Sequence, residues 1–256
     1  MDKIKTYIIN LPSSETRRRY MTELLKPYSF LDFHFISAIN GRELSRENKN
    51  EFFDDSDCLK RYGRELNSGE IGCVLSHRKC YRTLVDSDDN YALIFEDDIQ
   101  FIRDINVLSD IDLDNILSVE TPTVLLISGD FWYFKRRPIV DAYCAIGAYA
   151  YLINRAAAEK ILSVKRPFNV SDDWMLYKHM GIRLKAIMPY IVDANLNMDL
   201  LGSDVNQYSW GIDRKRMSIN NIVAFGFSGL IKRILKGTGH FESKIKVFKG
   251  KIVDWK

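Results

Sequence analysis

The chain has 256 residues, of which 46% are hydrophobic and 28% are charged. These values are typical of a folded globular protein, and they exclude a mainly disordered chain. The formal net charge of +3 is close to balance. The protein is therefore not expected to bind nucleic acid through its overall charge, and any basic region that binds a partner must be local.

The cysteines and the apolar runs favour a cytoplasmic protein. No two of the four cysteines form a C-x-x-C pair, and Cys73 and Cys80 are predicted to lie about 10 Å apart on one helix, too far for a disulfide. The N-terminus has no signal-peptide pattern. The longest uncharged runs, residues 142–154 and 217–231, are shorter than the ~18 residues that a membrane helix needs.

The first elements are a strand and a helix. Residues 6–10 are predicted to form a strand that is broken at Pro12, and a serine pair can cap a helix that starts near Glu15. Arg17 and the two arginines after it lie in the first turns, where the helix dipole disfavours cations. They form either a solvated face or a contact to a diphosphate at the edge of the sheet.

A second strand and a long helix follow. Residues 33–38 are predicted to form the strand, and the highly charged residues 42–64 are interpreted as a surface excursion without a function. Asn67 can cap the next helix while Glu70 reaches back to it. A histidine in the middle of this helix, His77, is either a satisfied core residue or a ligand.

The most informative stretch is an apolar strand that runs into three acids. Residues 92–95 are predicted to be buried on both faces, and Glu96, Asp97 and Asp98 follow directly. Ligands of open α/β sheets bind outside the carboxyl ends of such strands. The cluster predicts a site for a hard divalent cation held with phosphates, the alternative being a solvated acidic turn.

Further strands are predicted at residues 123–128, 145–153 and 183–192, and Asn154 is expected to cap a helix over residues 155–163. Two connecting segments contain tryptophan. Trp132 belongs to a loop that mixes aromatic and cationic residues, suited either to stacking on a sugar ring or to covering the sheet. Trp210 belongs to a long polar loop.

A second acidic pair lies much later in the chain. Ser171 is a good helix N-cap, which would place Asp172 and Asp173 in the first helical turn, beside Trp174. Acids are favoured there by the helix dipole, so capping alone could account for them. A catalytic pair is the alternative.

The end of the chain is basic. Eight cations lie between Lys232 and Lys256, interleaved with apolar residues. This composition is typical of a segment that lies on an anionic membrane surface, and equally of a packed helix with a solvated outer face. We expect a catalytic domain over residues 1–216 and a basic amphipathic tail over residues 217–256.

Six motifs, in register over most of the first 190 residues, together resemble glycosyltransferase family 25, the lipooligosaccharide galactosyltransferase family. They are Tyr7-Ile-Ile-Asn-Leu-Pro with Arg17-Arg18, Asn40-Gly-Arg-Glu-Leu, Gly69-Glu-Ile-Gly-Cys-Val-Leu-Ser-His, Ala92-Leu-Ile-Phe-Glu-Asp-Asp, Gly147-Ala-Tyr-Ala-Tyr-Leu-Ile and Asp172-Asp-Trp.

The resemblance implies an α/β fold, a GT-A-like mixed and mostly parallel sheet flanked by helices, here with a basic C-terminal helical tail. It implies an inverting, metal-assisted galactosyltransferase that uses UDP-galactose and Mn²⁺ (or Mg²⁺). Asp98 and Glu96 stand where the metal-binding D-x-D motif is found, with Glu in the first position. Residues of the matching motifs are assigned to the donor: Asn10, Leu11, Arg17, His77, Glu96 and Asp97.

The chemistry of the reaction agrees with this assignment. The departing diphosphate needs its charge neutralised, and the acceptor hydroxyl needs a general base on the opposite face of the donor sugar. Asp173 is expected to be that base and Asp172 to hold hydroxyls, in an order that could be reversed. Trp174, Trp132 and Trp210 are expected to contact the acceptor.

The expected partners are a UDP-sugar, an oligosaccharide acceptor on a lipid A core and, peripherally, an anionic inner membrane, with no nucleic acid. The alternatives are transfer of another UDP-hexose (glucose or an N-acetylhexosamine) and, from another reaction class, a metal-dependent phosphohydrolase or nucleotidyltransferase. A non-catalytic sugar- or membrane-binding module is a third, although it has no need of both acidic pairs.

Overall fold

A computed structural model describes residues 3–195, 216–242, 246–248 and 251–253. Its strands are β1 (Ile4–Asn10), β2 (Leu31–Ser37), β3 (Tyr91–Glu96), β4 (Ile99–Phe101), β5 (Thr123–Leu126), β6 (Phe131–Tyr133), β7 (Ile139–Ala145), β8 (Ala150–Asn154), β9 (Arg183–Ile187), β10 (Val192–Ala194), β11 (Phe241–Glu242), β12 (Lys246–Phe248) and β13 (Lys251–Val253). Its α-helices are α1 (Glu15–Leu25), α2 (Arg46–Phe52), α3 (Asp55–Tyr62), α4 (Ser68–Val85), α5 (Leu113–Ile116), α6 (Arg155–Leu162), α7 (Trp174–His179) and α8 (Ile219–Gly237), with short 3₁₀ helices at Gly41–Glu43 and Ile105–Asp110.

Nine strands form one sheet, in the order β11-β6-β7-β9-β5-β8-β3-β1-β2. The strands β1, β2 and β3 pair in parallel, as do β5 and β9, whereas β8 lies antiparallel between β3 and β5. The strands β7 and β11 also run against their neighbours. Six of the nine strands therefore share one direction, which confirms the mixed, mostly parallel sheet flanked by helices.

The sheet is covered on both faces. Tyr7 and Ile9 of β1 belong to one core cluster with residues of α4, α6 and α7. Ile4 and Ile8 belong to a second cluster, on the side of α1 and α5. Because side chains alternate along a strand, a strand that is covered on both faces is expected to be apolar along most of its length. Residues 92–95 are accordingly fully buried, as predicted.

Two of the predicted caps are confirmed. The Asn67 side chain accepts from the backbone N–H of Glu70, whose carboxylate accepts from the backbone N–H of Asn67, a complete capping box. Asn154 caps α6 by accepting from the N–H of Ala157. The cap expected at Ser171 is wrong. Asp173 caps α7 instead, because residues 171–173 form a turn before the helix begins.

Two further expectations need correction. Residues 42–64 are not a bare surface excursion, because they include α2 and α3 and bury Phe53, Cys58 and Tyr62 against the start of α4. The strand expected at residues 145–153 is confined to β8, and the preceding strand β7 was not foreseen. The four cysteines are free, in agreement with the spacing argument.

The helix α8 and the strand β11 that follows it are joined to the sheet. Ser218 caps α8, and the strand β11 after this helix pairs with β6. The backbone N–H of Tyr133 donates to the carbonyl of His240, and Leu235 of α8 is buried beside Trp132. No helix among the described residues is both long and apolar enough to cross a membrane.

Candidate active site

The carboxyl ends of β1 and β3 meet at one edge of the sheet. The register pairs Ile9 with Glu96, which brings Asn10 beside the acids that follow β3. The Asn10 amide donates to Asp97 over 2.7 Å, and the Arg17 guanidinium donates to Asp97 over 2.9 Å and to Asp98 over 3.2 Å. The first predicted strand, the first helix and the acidic segment are therefore parts of one site.

The three acids differ in their surroundings. Asp97 is buried, and this burial raises the pKa of its carboxyl, while the hydrogen bonds from Asn10 and Arg17 oppose the rise. Glu96 and Asp98 lie on either side of it in sequence and line two adjoining cavities. Asp97 thus holds the segment in place, while Glu96 and Asp98 border the cavities.

The buried histidine of α4, His77, contacts Glu96 from the protein interior. The His77 ring is 1% exposed and stacks on Tyr151 with the ring centroids 5.8 Å apart. Its Nδ1 lies 2.7 Å from the Tyr151 hydroxyl, and its Nε2 lies 3.2 Å from Oε1 of Glu96. Both ring nitrogens have protein partners, so the structure places His77 as a core residue that orients a carboxylate.

The second acidic pair reaches the same place. Asp172 lines the larger cavity, of about 570 Å³, together with Glu96 and Asp98. Its Oδ2 accepts from the backbone N–H of Gly147 over 2.8 Å. Burial raises the pKa of the Asp172 carboxyl, the Gly147 hydrogen bond opposes that rise, and the charges of Asp173 and Glu96 add to it.

Asp173 has a different environment, although it also borders the cavity. Its carboxylate accepts from Nε and Nη2 of Arg61, from the Tyr62 hydroxyl and from the N–H of Leu176, and its side chain is 6% exposed. Burial works against the charged guanidinium, but the ion pair outweighs it and raises the pKa of Arg61. Both oxygens of Asp173 are therefore committed to structural partners.

The remaining residues that were predicted to contact the donor or the acceptor lie in different places. Leu11 and Arg17 line the smaller cavity, of about 130 Å³, with Asn40 and Gly41. Trp174 is 1% exposed and donates from Nε1 to the Gly147 carbonyl, so it supports the loop that holds Asp172.

Two tryptophans were expected to contact the acceptor from other segments. Trp132 packs on Phe241 with ring centroids 4.5 Å apart, in a separate cluster beneath α8. Trp210 lies outside the described residues. That these two tryptophans contact the acceptor stays a prediction.

The site offers two overlapping sets of metal ligands. Glu96 and Asp98 supply the carboxylate oxygens that Mn²⁺ and Mg²⁺ prefer, next to open cavities, and so they fit such an ion. Cys73, His77 and Glu96 bring one ligand atom each to within 4.8 Å of one another. Burial raises the pKa of the Cys73 thiol and so disfavours the thiolate that a metal ion needs, which makes this second set the weaker candidate.

Sequence reasoning missed several residues of the site. Arg61 and Tyr62 lie in the segment that was given no function, and Gly147 was noted only as part of a motif. A burial signal was present, because Tyr62, Cys58 and Phe53 have helical and near-helical spacing. Nothing in the sequence, however, paired Arg61 with Asp173, 112 positions away.

Comparison with known proteins places the chain in a family. The model of the family described as "Glycosyltransferase family 25 (LPS biosynthesis protein)" matches residues 3–139, more than half of the chain. The chain belongs to this family.

Relatives of the chain carry related names. A Haemophilus influenzae protein that is classed provisionally as a glycosyltransferase is 25% identical over 182 residues, which are 67% of this chain and 62% of that protein. Procollagen galactosyltransferase 1-B of Xenopus laevis is 29% identical over 102 residues, 38% of this chain and 16% of that protein. The chain thus spans less than two thirds of either relative.

A solved structure from Bacillus anthracis, classed provisionally as a glucose-1-phosphate thymidylyltransferase, is similar with a TM-score of 0.43 and 14% identity. The match covers 79% of this chain and 96% of that one. At this distance, the likeness has no bearing on the activity.

Proposed function

We propose that the chain is an inverting galactosyltransferase, which moves galactose from UDP-galactose to a sugar hydroxyl of a lipooligosaccharide acceptor with the help of Mn²⁺ or Mg²⁺. One observation carries the proposal. Two acidic segments about 75 positions apart in sequence converge on one cavity, where Asp172 faces Glu96 and Asp98. A transferase needs this division between a metal-binding pair and a separate base.

The two adjoining cavities suit the two halves of the reaction. The smaller one lies at the end of β1, beside Arg17 and the backbone of Asn40 and Gly41, where a nucleotide diphosphate would find a cation and N–H groups. The larger one has room for sugar rings and ends at Asp172. Glu96 and Asp98 border both cavities and would hold the metal ion, which supplies charge neutralisation for the diphosphate when bound.

The base is assigned to Asp172. A general base must be free to accept a proton, and a carboxyl whose pKa is raised by burial accepts one more readily at neutral pH. The two carboxylate oxygens of Asp173 already accept from Arg61, Tyr62 and the end of α7. Asp173 then holds α7 and the preceding turn in place, the reverse of the first expectation.

The donor sugar and the acceptor are assigned from different comparisons. Galactose is supported by the procollagen galactosyltransferases among the relatives, and a bacterial surface oligosaccharide by the family description. Glucose or an N-acetylhexosamine would fit the same chemistry. Parallel turnover of UDP-galactose, UDP-glucose and UDP-N-acetylhexosamines with one soluble oligosaccharide acceptor distinguishes them.

The proposal is tested by replacing one metal-binding carboxylate. Asp98→Asn should lower Mn²⁺-dependent transfer by about 100-fold or more, and it should weaken UDP-sugar binding only when Mn²⁺ is present. Asp88→Asn, in an exposed turn at the opposite end of β3, is the matched control and should keep full activity. Near-normal Mn²⁺-dependent turnover by Asp98→Asn would show that the acids form only a solvated turn.

A further inference from the structure

The helix α8 has two faces of different character. Its outer face carries five exposed apolar residues, with exposed fractions of 50% to 78%: Ile219, Val223, Phe227, Leu230 and Ile234. At about 100° per residue these side chains fall within an arc of about 80°, so they form one continuous stripe along the helix. We call these five residues the outer stripe.

The inner face of α8 belongs to the active site. Five of its residues line the larger cavity, together with Asp172 and Glu96, and they are Asn221, Ala224, Phe225, Ser228 and Lys232. Their arc is centred roughly opposite the outer stripe by the same rule. Ser218 and Asn221 also bond to the carbonyl of Lys60, which fixes the start of the helix. The wall of the cavity and the outer stripe are thus two sides of one rigid element.

Cations surround the C-terminal end of the outer stripe. Arg233 and Lys236 are exposed on α8, which contains no acidic residue. The loop after β6 adds the exposed Phe134, followed by three consecutive cations, Lys135, Arg136 and Arg137.

The fold brings this loop to the helix end. Tyr133 precedes the loop, its N–H donates to the His240 carbonyl, and its ring lies edge-on to His240. His240 in turn follows α8 directly and donates its own N–H to the carbonyl of Leu235. Two segments about 100 positions apart in sequence therefore meet at the C-terminal end of α8, and between them they expose five cations. We call these five cations, with Phe134 and the outer stripe, the basic-apolar surface.

We propose that the basic-apolar surface binds an anionic lipid bilayer, with α8 lying in the plane of the headgroups. Apolar side chains in a narrow arc, flanked by Lys and Arg without acids, are what an interfacial helix requires. A protein partner of ordinary surface composition would not call for five cations around the apolar face, whereas an anionic leaflet attracts each of them.

This orientation has a consequence for the substrate, which rests on the proposed function. Because α8 separates the membrane from the cavity by the width of a single helix, an acceptor anchored in the same leaflet would reach Asp172 without leaving the surface. The orientation therefore suits the lipid-linked acceptor of the proposed function. Attachment to the surface raises its effective concentration at the site.

The experiment measures co-sedimentation of the full chain with vesicles of phosphatidylcholine alone, or of phosphatidylcholine mixed with phosphatidylglycerol. Binding is expected only to the mixed vesicles at low salt, with release at high salt. The triple variant Arg136→Gln, Arg137→Gln, Lys236→Gln should bind them roughly 100-fold more weakly. Phe227→Ser with Ile234→Ser should also lose binding, because the apolar anchor is removed.

The controls keep this result separate from the catalytic proposal. Val119→Ser with Lys26→Gln removes exposed apolar and cationic side chains elsewhere and should bind like the parent chain. None of the substituted residues lines the cavity, so transfer to a soluble acceptor should be unchanged in all variants. Equal binding to both vesicle types, binding to neither, or full binding by the triple variant would overturn the membrane proposal. If the unsubstituted chain shows no Mn²⁺-dependent transfer, this result would instead overturn the proposed function.

Discussion

At the scale of single residues, the site depends on how each carboxylate is surrounded. The sequence showed which acids were unusual, because Glu96 to Asp98 follow an apolar strand and Asp172 and Asp173 stand beside Trp174. It could not show their roles, since neighbouring acids of the same type differ only in the partners that the fold brings to them. Gly147 and Arg61, which distinguish Asp172 from Asp173, come from other segments.

The two aspartates should respond differently to the same substitution. Asp172→Asn should keep the fold and lose turnover by about 100-fold or more, as expected when a general base is removed. Asp173→Asn should instead lower the free energy of unfolding by about 3–5 kcal/mol, because it breaks a buried ion pair and leaves Arg61 unpaired. Thermal unfolding and single-turnover rates, measured on both variants, decide the assignment. Normal turnover by Asp172→Asn at full stability would refute it.

The raised pKa of Asp172 also predicts the pH dependence of the reaction. A base works in its ionised form, so kcat/KM should rise with pH along a limb whose midpoint lies above the ordinary aspartate pKa of about 3.9. The stability effect has the opposite sign. The folded state holds this proton more tightly than the unfolded state, so ionised Asp172 lowers stability as pH rises through its folded pKa. Asp172→Asn should therefore raise the unfolding temperature at neutral pH, and an unchanged temperature would contradict the burial argument.

At the scale of elements, the sequence predicted the ends of helices correctly where the capping residue and its hydrogen-bond partner are close along the chain. In the capping box of α4 and in the cap of α6, the capping residue and its partner lie three residues apart along the chain, and both caps were predicted. The start of α7 was misplaced because Ser171 and Asp173 are both good caps, and the choice depends on Arg61 and Tyr62, which hold Asp173. The helices α2 and α3 were missed because their high charge resembles that of a solvated loop.

The loop before β8 contains a glycine that holds Asp172, the proposed base. Gly147 has a φ of +79°, and a Cβ there would lie 2.4 Å from the Tyr149 ring. Its N–H and carbonyl bind Asp172 and Trp174. Gly147→Ala should therefore reduce turnover by roughly tenfold or more by displacing the base, while leaving UDP binding intact. Isothermal titration with UDP and a turnover assay test this, with Gly226→Ala in α8, where a Cβ has open space, as the control.

At the scale of the whole molecule, α8 and β11 contribute to the candidate site and to the sheet. The helix α8 walls the cavity, and β11 extends the sheet at the side of β6. The basic composition of this segment could not distinguish a free tail from a packed one, because composition does not show which side chains of α8 contact the rest of the domain. Point substitutions on the outer face therefore test its role more cleanly than a truncation, which would remove Leu235 and uncover Trp132.

The ion pair between Arg61 and Asp173 joins two segments that are distant along the chain, and this link has a consequence for motion. The helices α3 and α7 should open together as one cooperative unit, because neither can separate without exposing a buried charge. Amide hydrogen exchange should give both helices one shared opening free energy. Arg61→Gln should lower their protection in parallel and leave α6 unaffected. If only α3 exchanged faster in that variant, the two helices would be independent, and access to the base would not depend on the segment that carries Arg61.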